Sequence, residues 1–332
     1  MKYRSLAVVV LGALLALSSC TGGTASQQAG GKPLRVAAVL PSTTNDMAWS
    51  QSMFSALKTV QQELGGESAM GLKVSENMAD VPAAAAALRD YASQGFDIVI
   101  AHGSQYGSSV QEIAVDFPKT TFALGNEVDT FSLPNVYAYT AAAEQGGYVN
   151  GVMAAKLSKS KLIGLTGPVE VGHGKFYADG FTQGVAATDS TVKVSETWTG
   201  SFTDVALMTQ AAEALIAAGA DVLTGTSEAA TGSVNAAKES GIVLWFGNEQ
   251  DQASLAPKLV VACQVYDWTS MLKDLIAKRK AGKLGGDKYA LTMQNGGLSI
   301  VYNPGYALPA EVKAAADKAI VEIKSGAITV TP

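Results

Sequence analysis

Two successive series of short apolar runs, each run separated from the next by an amphipathic stretch, restrict this chain more than any other feature. The first series predicts strands near 34–40 (LRVAAVL), 72–77, 97–102 (DIVIAH) and 120–124 (TTFAL), with helices near 48–64, 82–94 and 106–116. The second predicts strands near 161–166 (KLIGLT), 191–197, 221–226 (DVLTGT) and 242–247 (IVLWFG), with helices near 175–187, 203–218 and 228–240. Strands apolar along their whole length are buried on both faces, which means parallel strands covered by crossover helices. The similar spacing of the two series predicts an α/β protein of two doubly wound parallel-sheet lobes rather than one wide sheet. Residues 258–332 add strand-like runs at 258–265 and 297–303 and helices near 267–281 and 309–324, too little for a third lobe, so the chain is expected to cross back between the first two. Ligands of open parallel sheets bind beyond the carboxyl ends of the strands, and two facing lobes gather those ends around one cleft.

The length of 332 residues, with 48% apolar, suffices for two cores. A formal charge of -5, with acids and bases interspersed, leaves no basic block to track a phosphate backbone, so nucleic acid is not an expected partner. The first residues carry Lys2 and Arg4, then an apolar run from Leu6 to Leu17 that is too short to span a bilayer and has the form of an export signal. That run ends in Leu17-Ser18-Ser19-Cys20, which resembles a bacterial lipobox. Residues 1–19 are therefore expected to be a lipoprotein signal peptide, Cys20 the lipidated residue, and 20–31 (CTGGTASQQAGG) a flexible tether. The N-terminal lobe is placed at 32–138 plus about 264–290, and the C-terminal lobe at 139–263 plus about 291–332. With Cys20 acylated, Cys263 has no disulfide partner and reads as a small buried residue.

The loops after the strands carry the candidate ligand contacts. Residues 41–49 (PSTTNDMAW) offer Asn45 or Asp46, either of which can cap the following helix, and Trp49, whose indole can stack on a flat ligand. The segment 102–107 (HGSQYG) supplies Ser104 and Tyr106 at a helix N-terminus. In the second series, the glycine-rich loop 167–174 precedes the helix carrying Phe176, Trp198 ends a strand, and 224–228 (TGTSE) and 247–251 (GNEQD) place Glu228 and Asn248 at strand ends. Each is compatible with ordinary capping; their recurrence after successive strands favours a binding cleft.

Signatures of catalysis are missing. The chain has two histidines, His102 and His173, no HExxH, no paired cysteines, no phosphate-cradling GxxxxGK[ST] and no GxGxxG after the first strand. Gly225-Thr226-Ser227-Glu228-Ala229 approaches the hydrolase elbow GxSxG but ends in Ala. No catalytic residue, metal or cofactor is expected, and the protein is not read as an enzyme; a nucleoside hydrolase using Ser227 is the weaker alternative.

The stretch 139–156 (YTAAAEQGGYVNGVMAAK), followed by 161–167 (KLIGLTG) and by Phe176 to Gly184, resembles the basic membrane protein (BMP) family of ABC-importer solute-binding lipoproteins. The likeness continues through 200–204 (GSFTD) and 218–222 (AGADV). It implies a type I periplasmic-binding-protein fold, a purine nucleoside or related flat ligand, and an ABC permease as partner. By position, Asp46 and Trp49 match the family's ligand loop, with Trp49 replacing the usual stacking Phe. Asn248 stands where many members have an Asp that holds the ribose hydroxyls, and Tyr266 where they have a Lys. Those two changes fit a branch of the family that resembles this chain around Asp267-Trp268 and 256–258 (APK) and is specialised for free purine bases such as adenine. On that reading Trp49 stacks and Glu228 or Asn126 reads the edge of the base. The expected role is a monomeric, lipid-anchored protein on the extracytoplasmic face of the cell membrane that captures a purine base or nucleoside. The alternatives are a membrane-tethered sensor, or a binding protein for another solute such as a sugar or a riboflavin-like ring.

Overall fold

The computed structural model describes residues 32–332; the expected signal peptide, Cys20 and the tether lie outside the described residues. The first series folds as β1 (Leu34–Val39), α1 (Trp49–Glu63), β2 (Met70–Ser75), α2 (Val81–Ser93), β3 (Ile98–Ala101), α3 (Gly107–Asp116), β4 (Thr121–Gly125) and β5 (Val136–Ala141). After α4 (Ala143–Leu157), the second gives β6 (Leu162–Gly167), α5 (Gly172–Thr188), β7 (Lys193–Trp198), α6 (Val205–Ala217), β8 (Val222–Gly225), α7 (Ala230–Ser240) and β9 (Leu244–Gly247). The chain ends with β10 (Val260–Tyr266), α8 (Thr269–Lys280), β11 (Lys288–Leu291), β12 (Leu298–Tyr302) and α9 (Ala310–Ser325).

Two six-stranded sheets result, ordered β2-β1-β3-β4-β5-β11 and β7-β6-β8-β9-β10-β12. Every pairing in the first is parallel. The second is parallel except at its edge, where β12 runs antiparallel to β10. The central strands β3, β4 and β8 are buried throughout, as expected of strands covered on both faces.

Three elements go beyond the sequence reading: β5, β11 and α4. Strand β11 is a four-residue edge whose run KYAL carries little apolar signal. Helix α4 contains Gly146, Gly147 and Gly151, which oppose helix formation in isolation. Tertiary packing explains them. A Cβ on Gly147 would meet the Tyr177 carbonyl, and one on Gly180 the Glu144 carbonyl, so α4 and α5 lie against each other at backbone contact. The stretch that most resembled a known family is therefore a helix-packing device.

The chain passes between the sheets three times, after β5, after β10 and after β11. The switch positions expected at 138/139, 263/264 and 290/291 fall inside those three strands. The crossings are bonded to one another: Ala142 N donates to the Leu291 carbonyl at 2.9 Å and Asp267 N to the Gly297 carbonyl at 2.9 Å. Helix α8 packs on α1 while α9 packs on α4, so the crossing chain contributes a helix to each lobe. Cys263 is fully buried, and burial pushes its thiol up to about 12.

Candidate binding cleft

The carboxyl ends of both sheets face each other. After β1 the chain turns through Met47, a non-glycine residue at φ 58°, into α1. Asp46 caps that helix, accepting from the backbone N–H groups of Ala48 at 2.9 Å, Gln51 at 3.1 Å and Ser50 at 3.2 Å. Burial, with the Glu249 charge adding to it, raises the Asp46 carboxyl to about 6 in spite of these donors.

The cap fixes Trp49, the first residue of α1, which is 2% exposed. Its Nε1–H donates to the His102 carbonyl at 3.0 Å, and one face stacks on the His102 ring at 4.1 Å and 8°. His102 is tied in turn: Nδ1 lies 2.7 Å from the Tyr139 hydroxyl and Nε2 3.0 Å from the Trp49 carbonyl. Complete burial holds its imidazole down at about 3, hence neutral at ordinary pH. Trp268, from the second crossing, meets Trp49 edge-on at 5.5 Å and donates Nε1–H to Ser52 Oγ at 2.9 Å.

The facing wall comes from the second lobe. His173, in the first turn of α5, stacks on the other face of Trp49 at 4.4 Å and 16°, and its backbone N–H points at Asn126 Oδ1, 3.4 Å away in the first lobe. Its Nε2 lies 2.8 Å from Glu249 Oε1. Glu249, at φ 74° and 1% exposed, also accepts from Thr226 Oγ1 at 3.2 Å, and Thr226 accepts from Asn248 Nδ2 at 3.2 Å. Tyr266 ends β10 and sits edge-on to Trp49 at 6.2 Å. Four buried atoms of this wall have no protein partner: His173 Nδ1, Asn248 Oδ1, Glu249 Oε2 and the Tyr266 hydroxyl. Behind it Glu144, Asn150 and Gln264 also carry unpartnered polar atoms. Backbone strain collects here as well, since Met47, Asn126 and Glu249 are all non-glycine residues at positive φ. One interlobe bond closes the arrangement, from Gln252 Nε2 to the Met47 carbonyl at 2.9 Å.

At its mouth the cleft opens to about 440 Å³ between residues 41–43, Asn45, Asp46, Asn77 and Ala79 on one side and Thr203, Val205, Glu228 and Thr231 on the other. No lysine or arginine lines it. Burial, then the negative charges of Glu249 and Asp46, raise the Glu228 carboxyl well above the usual range.

Of the residues expected at the site, the structure brings Asp46, Trp49, Asn126, Asn248 and Tyr266 together around His173, with Glu228 at the mouth. Ser104 is exposed in a short 3₁₀ turn before α3. Tyr106 is buried in the first lobe, its hydroxyl donating to the Met78 carbonyl at 2.7 Å. Phe176 packs half-buried against the core, and the Trp198 ring lies over Gly167 beside the edge strand β7. These four neither hydrogen-bond to nor stack on Trp49, His173 or Glu249. Ser227, the residue of the elbow-like stretch, donates Oγ–H to the Phe202 carbonyl at 2.7 Å and accepts from Ala229 N, which makes it a turn residue at the start of α7.

Sequence reasoning passed over His102, His173 and Glu249. Both histidines served only to weigh a metal site, and Glu249 only as one of several loop carboxylates. The available signal was position: each lies immediately beyond a strand end or in the first turn of the following helix.

Residues 34–329 match the family model described as Bmp, ABC transporter substrate-binding protein PnrA-like. A purine-binding protein of Brucella abortus is 26% identical over 305 residues, covering 92% of this chain and 84% of the relative. The ABC transporter nucleoside-binding protein BmpA of Lactococcus lactis is 26% identical over 357 residues, covering 99% of each. An ABC-transporter solute-binding protein of Aeropyrum pernix superposes with a TM-score of 0.76 at 18% identity, covering 90% of this chain and 94% of that one. The fold is the α/β fold of type I periplasmic solute-binding proteins. Among the described residues no helix is long and apolar enough to cross a membrane.

Proposed function

The chain belongs to the Bmp family of ABC-transporter substrate-binding proteins, and from that premise we propose that it captures a small planar solute, a purine base or nucleoside, between its two lobes for delivery to a permease. Proteins of this family act outside the cytoplasm, bind small molecules and hand them to the membrane subunits of an importer. The finer reading has this chain held at the extracytoplasmic face by lipid on Cys20, working as a monomer and releasing its ligand chemically unchanged.

The observation that carries the ligand class is the setting of Trp49. A rigid indole faces a wall of buried, unpartnered acceptors and donors, and stacking with edge hydrogen bonds is how a flat heterocycle is held. The names of the Brucella and Lactococcus relatives support the same class. Closure follows from ligand contacts made to both lobes at once, which favour the closed over the open arrangement.

A thermal-shift screen of the purified protein against bases, nucleosides, flavins, sugars and amino acids tests this. Ligand at about 100 times its Kd adds roughly 2.7 kcal/mol of stability. A shift confined to sugars or amino acids overturns the purine reading.

A further inference from the structure

The two faces of Trp49 are covered by two histidines held in different ways. His102 is fixed within the first lobe, with both ring nitrogens bonded at 2.7 and 3.0 Å. His173 reaches across from the second lobe, its ring held by one hydrogen bond to Glu249 and its Nδ1 without a protein partner. Gly172 at φ +59° and Gly174 flank it, and a Cβ at either would press on Asn126 or Thr226, so the backbone beneath the ring runs close against both walls. Of the two faces of the indole, this is the one a ligand can take, and only by replacing the His173 ring.

The chemistry of that position is written in its present occupant. A planar nitrogen heterocycle lies near-parallel to the indole at 4.4 Å with Nε2 2.8 Å from Glu249 Oε1, and against a carboxylate that ring nitrogen is the donor. Glu249 is 1% exposed, its other oxygen has no partner, and Asn248 Oδ1 beside it is likewise unpartnered. Carboxylate and amide oxygens only accept, so this wall calls for donors. We propose that the His173 imidazole occupies the seat of the ligand's own five-membered ring, and that the cleft selects planar heterocycles bearing an unsubstituted ring N–H, free bases over their N-glycosides. This rests on the planar-ligand reading above and names its recognition element. A free purine presents such an N–H; a sugar at that nitrogen removes the donor and sets bulk against Glu249. The mouth has no lysine or arginine in its lining, so a phosphorylated form would find no counter-charge there.

The test is isothermal titration of the full chain with adenine, 9-methyladenine, benzimidazole and 1-methylbenzimidazole, on wild type and on His173→Ala. Blocking the ring N–H is expected to weaken binding on the order of 100-fold, because a buried acceptor built to receive a donor is then left unpaired. His173→Ala is expected to bind adenine about tenfold more tightly, since no ring has to be displaced. Millimolar imidazole should perturb Trp fluorescence in the variant and not in wild type. Equal affinities for the N–H and N-methyl partners, or weaker adenine binding by His173→Ala, overturn the inference, and if adenine still binds they do so while the purine reading stands. If neither purine binds but benzimidazole does, with its N-methyl form rejected, the purine reading falls and the seat assignment stands. The wild-type arms hold whether or not the variant folds.

Discussion

The two walls of the cleft are built to different standards of completion. On the first-lobe wall, Trp49, His102, Tyr139 and Trp268 are fully buried or nearly so, and every ring nitrogen among them has a partner. On the second-lobe wall His173, Asn248, Glu249 and Tyr266 are as well buried except for His173, yet each retains an unpartnered polar atom. A satisfied polar group in a core adds to stability, whereas an unsatisfied one costs about 1–3 kcal/mol. The first wall therefore contributes to the fold, and the second is held at some expense to stability; in the proposed function the first is the platform and the second reads what lies on it.

The largest expected effect comes from breaking the finished wall. Trp49→Ala should destabilise the protein by about 3–5 kcal/mol in urea unfolding, because it opens a cavity and strands the His102 carbonyl. Trp49→Phe is the variant for binding, since it keeps a stacking face while losing only the Nε1–H bond. A wall that tolerated Trp49→Ala within 1 kcal/mol would not be the rigid platform described.

Next in size is a pH effect behind the second wall. Burial raises the Glu144 carboxyl to about 7, above its ordinary value of 4.5. A carboxyl raised on folding favours the protonated folded state, so its contribution is fully present below pH 4.5 and is lost as pH rises through 7. Glu144→Gln should exceed wild type in stability at pH 8, by an amount on the order of 1–3 kcal/mol, and the gain should vanish near pH 4.5. His102 on the first wall acts in the opposite sense: lowered to about 3 by burial, it contributes stability above pH 6.5 that is lost as pH falls. The difference between Glu144→Gln and wild type, followed across pH by urea midpoint, separates the two; a pH-independent difference would contradict the assignment.

Gln252→Ala removes the shorter of two hydrogen bonds that join the walls across the cleft, the other running from His173 N to Asn126 Oδ1. It should cost about 0.5–1.5 kcal/mol and shift small-angle scattering toward a more open form. It also strands Trp245 Nε1–H, which donates to Gln252 Oε1 at 2.7 Å, so Gln252→Glu, retaining that acceptor, is the control. The smallest effect is also the sharpest contrast. Tyr266→Phe deletes a buried hydroxyl that has no protein partner, and should leave stability unchanged or raise it by up to ~1 kcal/mol while weakening ligand binding. Loss of stability in Tyr266→Phe would show the second wall to be as complete as the first.

How legible each part was follows from the range of the interactions involved. Strands β1, β3, β4, β6, β8 and β9 announce themselves because burial on both faces demands an uninterrupted apolar run, a property of adjacent residues. Helices α2 and α6 begin at Asp80 and Asp204, whose side chains cap them locally. Helix α4 did not read as a helix, because Gly147 and Gly151 are favourable only against the α5 backbone and Gly146 only against the Gln264 side chain. The cap before α1 was legible as Asn45 or Asp46, of which the structure uses Asp46, and Trp49 as an aromatic ring in the turn that follows. The His173–Glu249 pair was not, because its members are 76 residues apart.

By itself, then, the sequence determined a two-lobed α/β chain with its strand-end loops around one cleft, and put Trp49 in the first turn of the helix after the first strand, since these depend on periodicity and on caps that act within a turn. Only the tertiary structure decided which loops meet, that both faces of Trp49 carry a histidine, and that one wall is satisfied while the other keeps free acceptors. Those outcomes turn on distances between residues remote in the chain, and hydrogen-bond satisfaction in a buried cleft is a property of that assembled geometry.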